Sequence, residues 1–99
     1  MMTLDELRAT LGSTAPPASM PAPIVALWHD ARGDWDAAHR VAQDIDDEDG
    51  AWIHAYLHRK EGDIGNAGYW YRRAGRAAAS GSLDDEWAAI ASALLARRP

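Results

Sequence analysis

Cysteine is absent from the 99-residue chain, and so is phenylalanine. Without a thiol there is no disulfide framework, no thiolate metal site and no cysteine nucleophile, so stability has to come from packing. Proline is scarce outside one stretch: four of the five lie between Ser13 and Pro23. No apolar run approaches the roughly 20 residues that cross a bilayer. The opening Met1-Met2-Thr3-Leu4-Asp5-Glu6 lacks the basic-then-apolar order of a secretory signal. A soluble protein with a cytoplasmic address and no membrane partner is therefore expected. Positive charge is also in deficit, with 10 Lys and Arg against 15 Asp and Glu and a net charge of -5. That balance, with a pI near 5.1, argues against general attraction to nucleic acids, whose phosphates need a positive surface.

What is present is helical in character. Five tryptophans accompany an alanine content of about a fifth of the chain, a combination that sets large indole rings into surfaces small enough for close helix packing. The most informative pattern is a repeated phrase. His29-Asp30-Ala31-Arg32-Gly33-Asp34 is answered 29 residues later by His58-Arg59-Lys60-Glu61-Gly62-Asp63, and each Gly-Asp is followed by Ala, at Ala38 and Ala67. Self-similarity at such a period signals helical hairpins that bury an apolar face against each other.

The length suits one domain. Thr3 and Glu6 have capping-box spacing ahead of Leu4, Leu7 and Leu11, so a short helix is expected within residues 1–12. Residues 13–23 read as a Pro-rich linker, and the first helix is expected either to pack across a dimer or to remain mobile on that tether. The repeat region covers 24–99. A first hairpin over 24–49 has Ile24, Leu27, Trp28 and Ala31 on one arm and Trp35, Ala38, Val41, Ala42 and Ile45 on the other. A second, over 50–80, has an arm from about Ala51 to Glu61 and a long return helix with Ile64, Ala67, Tyr71, Ala74 and Ala78 at core spacing. Gly68 and Gly75 flank that stripe and suggest a close neighbouring helix. Ser82 then caps a final helix over 82–98, acidic first and ending at Arg97-Arg98, in agreement with the helix dipole.

The segments Gly33-Asp34-Trp35-x-x-Ala38 and Gly62-Asp63-Ile64-x-x-Ala67 resemble the turn and second helix of tetratricopeptide repeats. Asn66-Ala67-Gly68-Tyr69-Trp70-Tyr71-Arg72-Arg73-Ala74-Gly75 is similar to the end of a Sel1-like repeat. The string from Leu27 to Ala74 also resembles a family of small uncharacterised bacterial proteins, which implies no function. The resemblance implies an all-α fold: antiparallel helical hairpins stacked as a short array like that of tetratricopeptide proteins, with a C-terminal capping helix. It also implies a role in protein contacts or self-assembly. Two units leave apolar ends that a second copy would cover, so a homodimer is expected.

Three constellations bear on chemistry. His54, His58 and Glu61 share a helix face, and His29 holds the place in the first hairpin that His58 holds in the second. Imidazole nitrogens and a carboxylate at this spacing make a candidate divalent-metal site, with packing between helices as the plainer reading. His29 or His58 beside Asp34, Asp63 or Glu61 would also suit acid-base work. No Gly-x-Ser-x-Gly nucleophile and no Gly-rich phosphate loop accompanies them, so the balance leans away from an enzyme. Arg72, Arg73 and Arg76, with Tyr69 and Trp70, form the one basic surface, a candidate site for a protein partner or for carboxylate or phosphate. Trp52 is a further candidate for exposure at an interface. The acidic run Asp44 to Asp49 lacks the alternating ligands and internal glycine of a calcium loop and reads as a solubilising turn.

Overall fold

The computed structural model describes residues 2–97. They form six α-helices: α1 (Leu4–Ala9), α2 (Ala22–Ala31), α3 (Trp35–Gln43), α4 (Glu48–Glu61), α5 (Ile64–Ala74) and α6 (Leu83–Ala96), with no strand among the described residues. The chain is all-helical, and no described helix is long and apolar enough to cross a membrane.

Local chemistry sets the helix boundaries. Thr3 and Glu6 form the reciprocal capping box, each side chain accepting from the other's backbone N–H. Asp34, Asp47, Asp63 and Ser82 cap α3, α4, α5 and α6 by accepting backbone N–H groups that have no partner in the first turn. The repeated phrase corresponds to one turn made twice. Gly33 donates to the Asp30 carbonyl and Asp34 to that of His29; Gly62 donates to the Arg59 carbonyl and Asp63 to that of His58. Both glycines sit at positive φ, 83° and 93°, the left-handed conformation that lets a helix end and the next residue cap its successor.

Helix α4 is the centre of the molecule. It packs against α2, α3, α5 and α6, and from Gly50 to His58 every residue is buried. Its start is held unusually close to the chain before it: a Cβ on Gly50 would stand 2.8 Å from Ile45 Cβ and collide with the Ile45 carbonyl. Two buried carboxylates tie α4 to its neighbours. Asp30 on α2 accepts from Tyr56 Oη (2.7 Å) and Lys60 Nζ (2.9 Å). Glu86 on α6 accepts from Arg59 Nη1 (2.9 Å) and from the hydroxyl of Tyr71 on α5. Burial and the facing carboxylates push both tyrosine hydroxyls above their ordinary range.

Several expectations are corrected. The first helix docks on its own chain: Leu7 is fully buried, α1 packs on α6, and Trp28 Nε1 donates to the Thr10 carbonyl. Its follow-on Thr10–Gly12 is a 3-10 turn. The Pro-rich stretch is anchored, since Arg32 Nη1 donates to the carbonyls of Leu11 and Ser13 and Met20 is buried. Helix α3 stops at Gln43, leaving Ile45 in the turn, and α4 begins earlier than Ala51 because Asp47 caps it. Helix α5 ends at Ala74, where Gly75 adopts φ 70°; Ala78 is outside the helix and exposed, and Ile64, the first residue of α5, is exposed too. Gly68 faces no helix, because a Cβ there would meet only Arg72 Nη1 at 3.6 Å. Helix α6 lies across α1, α2 and α4, with Trp87 Nε1 donating to the Leu27 carbonyl. Arg97 pairs with Asp49 (2.7 Å) at the start of α4, while Arg98 lies outside the described residues.

Candidate functional site

Helices α3, α4 and α5 meet in a cluster of aromatic rings with three histidines at its centre. His54 and His58, one turn apart on α4, are both buried, and His39 reaches them from α3, half-buried. His54 Nε2 and His39 Nε2 are 2.9 Å apart in a hydrogen bond, one ring donating and the other accepting. One ring nitrogen from each of the three lies within 4.8 Å of the others. Trp35 stacks on His39 at 4.9 Å, and Trp70 from α5 stacks on His54 at 4.0 Å, 9° from parallel. Trp35 is fixed in turn by its Nε1, which donates to the Leu57 carbonyl at 2.8 Å.

This setting favours neutral imidazoles. Burial, and then the nearby rings of His39 and His58, lower His54 from 6.5 to about 4. His39 is lowered too, chiefly by burial and next by His58, against the opposing pull of Glu61 and Asp36. These two rings therefore keep a nitrogen lone pair at neutral pH, the form that ligates metal ions. A carboxylate supports the third ring: His58 Nδ1 is 2.6 Å from Glu61 Oε2. Histidine ligands of metal ions commonly donate their second N–H to such a partner, which fixes tautomer and ring orientation. A cleft of about 330 Å³ adjoins the cluster, lined by His54, Trp70 and Arg73 on one side and by Asp46, Asp47 and Glu48 on another.

Of the four residues expected at a metal site, the structure brings together His54, His58 and Glu61. Glu61 touches His58 and, with His58 and Asp63, forms a second group of converging donors. His29 stands apart on α2, its ring edge-on to Trp28 at 5.2 Å, and belongs to no converging group among the described residues. His39 takes part instead. The sequence carried a signal for it: His39 lies four residues after Trp35, on the same helix face. Asp34 caps α3. In the acidic run, Asp47 caps α4 and Asp49 pairs with Arg97, and the carboxylates from Asp44 to Asp49 form no converging set among the described residues.

The basic surface divides into separate pieces. Arg73 Nη1 donates to Tyr69 Oη (3.1 Å) and its guanidinium lies over Trp70 at 5.2 Å. Tyr69 is 44% exposed, whereas the Trp70 indole stacks on His54. Arg72 is exposed and folds back toward Gly68. Arg76 lies beyond the end of α5, stacked over Trp52 at 3.4 Å, and Trp52 itself is buried. The five side chains are thus engaged in two different places. No family model matches the chain, nor does any curated protein or solved structure compared with it.

Proposed function

We propose that this chain is a small helical-repeat protein that binds one divalent transition-metal ion at His39, His54 and His58. The observation that carries the reading is the convergence of three imidazoles from two helices, with ring nitrogens within 4.8 Å of one another. Three neutral nitrogen donors with no thiolate select borderline ions such as zinc, cobalt, nickel or copper over magnesium or calcium. Two nitrogens at about 2.0–2.1 Å from a tetrahedral ion stand roughly 3.3–3.4 Å apart. His39 Nε2 and His54 Nε2, at 2.9 Å, would need to part by only a few tenths of an ångström.

The scaffold is read as two hairpins, α2 with α3 and α4 with α5, stacked in the manner of tetratricopeptide repeats. In that arrangement α2 and α4 form the inner face. Since α6 packs across both, it covers the groove that a longer array would offer to an extended peptide, which supports a buried site over a peptide groove. The role is binding, with no side-chain nucleophile at the cluster.

The test is cobalt and zinc affinity of tag-free protein by calorimetry, with His39→Gln and His29→Ala alongside. One equivalent bound by the parent and by His29→Ala, and lost in His39→Gln, is the expected result. Absence of binding, or equal loss in both variants, would overturn the reading. Saturation at about 100 times Kd should also raise stability by about 2.7 kcal/mol, reversed by a chelator.

One observation favours a second reading, self-assembly into a homodimer. Ile64 is the repeat equivalent of Trp35, and where Trp35 packs on the next hairpin, Ile64 is 66% exposed. Ile64→Arg should then lower the mass in solution at unchanged stability; a parent chain that sediments as a monomer would exclude it.

A further inference from the structure

His58 is held from two sides. On one, Glu61 Oε2 lies 2.6 Å from its Nδ1. An ionised carboxylate only accepts hydrogen bonds, so Nδ1 carries the proton of this contact, and in the neutral tautomer that it selects Nε2 offers the lone pair. On the other side, Asn66 Nδ2 stands 3.4 Å from that Nε2. In this orientation the amide donates to the lone pair an ion would use.

A half-turn about the last side-chain bond of Asn66 exchanges Nδ2 for Oδ1 within the same outline, because the two atoms are nearly equal in size. Oδ1 and His58 Nε2 would then face one another across 3.4 Å with lone pair against lone pair. Without a cation between them that arrangement is repulsive. With one, it matches the roughly 3.3–3.4 Å that separates two ligands of a tetrahedral dication. The backbone holds the residue in place for the exchange: Asn66 is on the first turn of α5, half-buried, with its N–H donating to Asp63 Oδ1.

Resting on the three-histidine reading above, we infer that Asn66 is the fourth ligand, its amide oxygen closing a shell of three imidazole nitrogens and one oxygen. The shell then draws one donor from α3, two from α4 and one from α5, so the ion ties three helices together. A site with four protein ligands has no open position for a reacting water, the mark of a site that retains its metal rather than hydrolyses with it.

The experiment is cobalt loading of the full chain, followed by the visible absorption of bound cobalt and by competition against a chromophoric chelator. Parent, Asn66→Leu, Asn66→Asp and His39→Gln proteins are compared. Replacing even an outer-shell partner of a metal costs about 10–100-fold in affinity, so Asn66→Leu should lose at least about tenfold, with weaker absorption as water enters. Asn66→Asp, which keeps the shape and adds charge, should bind more tightly than the parent. If the amide only donates to His58 and competes with the ion, Asn66→Leu will instead bind more tightly, and the inference falls. It falls equally if affinity and spectrum are unchanged in both Asn66 variants, and Asn66→Asp decides alone should Asn66→Leu fail to fold. Loss in His39→Gln with no effect at Asn66 rejects only the fourth ligand; a parent chain that takes up no cobalt rejects the site itself.

Discussion

Acid should weaken this fold through His54. The residue is 6% exposed, and its ring lies between Trp70 at 4.0 Å and His58 at 5.0 Å. The ionisable groups facing it are His39 from α3 and His58 from α4, while Asp46, Asp47, Glu48 and Arg73 line the cleft that it borders. No carboxylate hydrogen-bonds to His54, whose one ring partner is another imidazole. Protonation is thus opposed in the folded state, with a pKa of about 4 against 6.5 for a free ring.

The sign follows from linkage. Between those two values the unfolded chain binds the proton and the folded chain does not, so stability rises with pH across the window. The contribution is therefore present above 6.5, declines as pH falls below it, and is gone below 4. The full gap is worth about 3 kcal/mol, and about 2 kcal/mol of it should already be lost at pH 5. His39, lowered for the same reason, acts in the same direction. Urea unfolding at pH 8, 6.5 and 5, in the presence of a chelator, measures the slope. His54→Phe keeps a flat ring between Trp70 and His58 while removing the titrating nitrogen, so its slope should be smaller by about 2 kcal/mol over this range. Parallel losses in parent and variant, or an NMR titration of His54 centred near 6.5, would refute the reasoning.

Two glycines should respond in opposite directions. Gly50→Ala puts a methyl group against the Ile45 backbone and should cost about 2–3 kcal/mol in urea unfolding, whereas Gly68→Ala meets only a guanidinium at 3.6 Å and should stabilise α5 by about 0.5–1 kcal/mol. Asp30→Ala leaves the Tyr56 hydroxyl unpaired in the core and frees Lys60, and should cost about 3 kcal/mol. The same change should remove most of the stability difference between parent and Tyr56→Phe, since in a double-mutant cycle the two side chains share one hydrogen bond.

Much of the fold could be read in the chain because it is encoded locally. Capping residues, positive-φ glycines and apolar spacing act over three or four positions, which is why Thr3, Gly33, Asp34, Gly62, Asp63 and Ser82 mark real boundaries. The errors came where an outcome depends on groups distant in the chain. The apolar stripe runs on past Gly75 to Ala78 in sequence, but Gly75 ends α5 in space. Ile64 fits a core stripe and is exposed, because no following hairpin covers it as α4 covers Trp35. The anchoring of residues 13–21 depends on Arg32, and nothing local in a run of Pro, Ser and Ala announces that its carbonyls will be used.

The histidine site shows how repetition can mislead. His29 and His58 occupy the same place in two successive hairpins, each offering its carbonyl to the same turn. That equivalence suggests a pair, but equivalent positions in neighbouring units are offset by the spacing between the units, and packed helices stand 8–10 Å apart. His29 turns its ring edge-on to Trp28 and joins no converging group among the described residues. The helix between α2 and α4 is α3, which packs on both and is placed to supply a histidine partner for His54 and His58. On α3 the face that meets α4 begins at Trp35, whose Nε1 bonds the Leu57 carbonyl. One turn later on that face is His39. In the second hairpin the same position is Gly68, so α5 carries no histidine there to begin a second cluster. The converging set thus arises where the two hairpins differ, and residues that break a repeat's self-similarity are the place to look for what it binds.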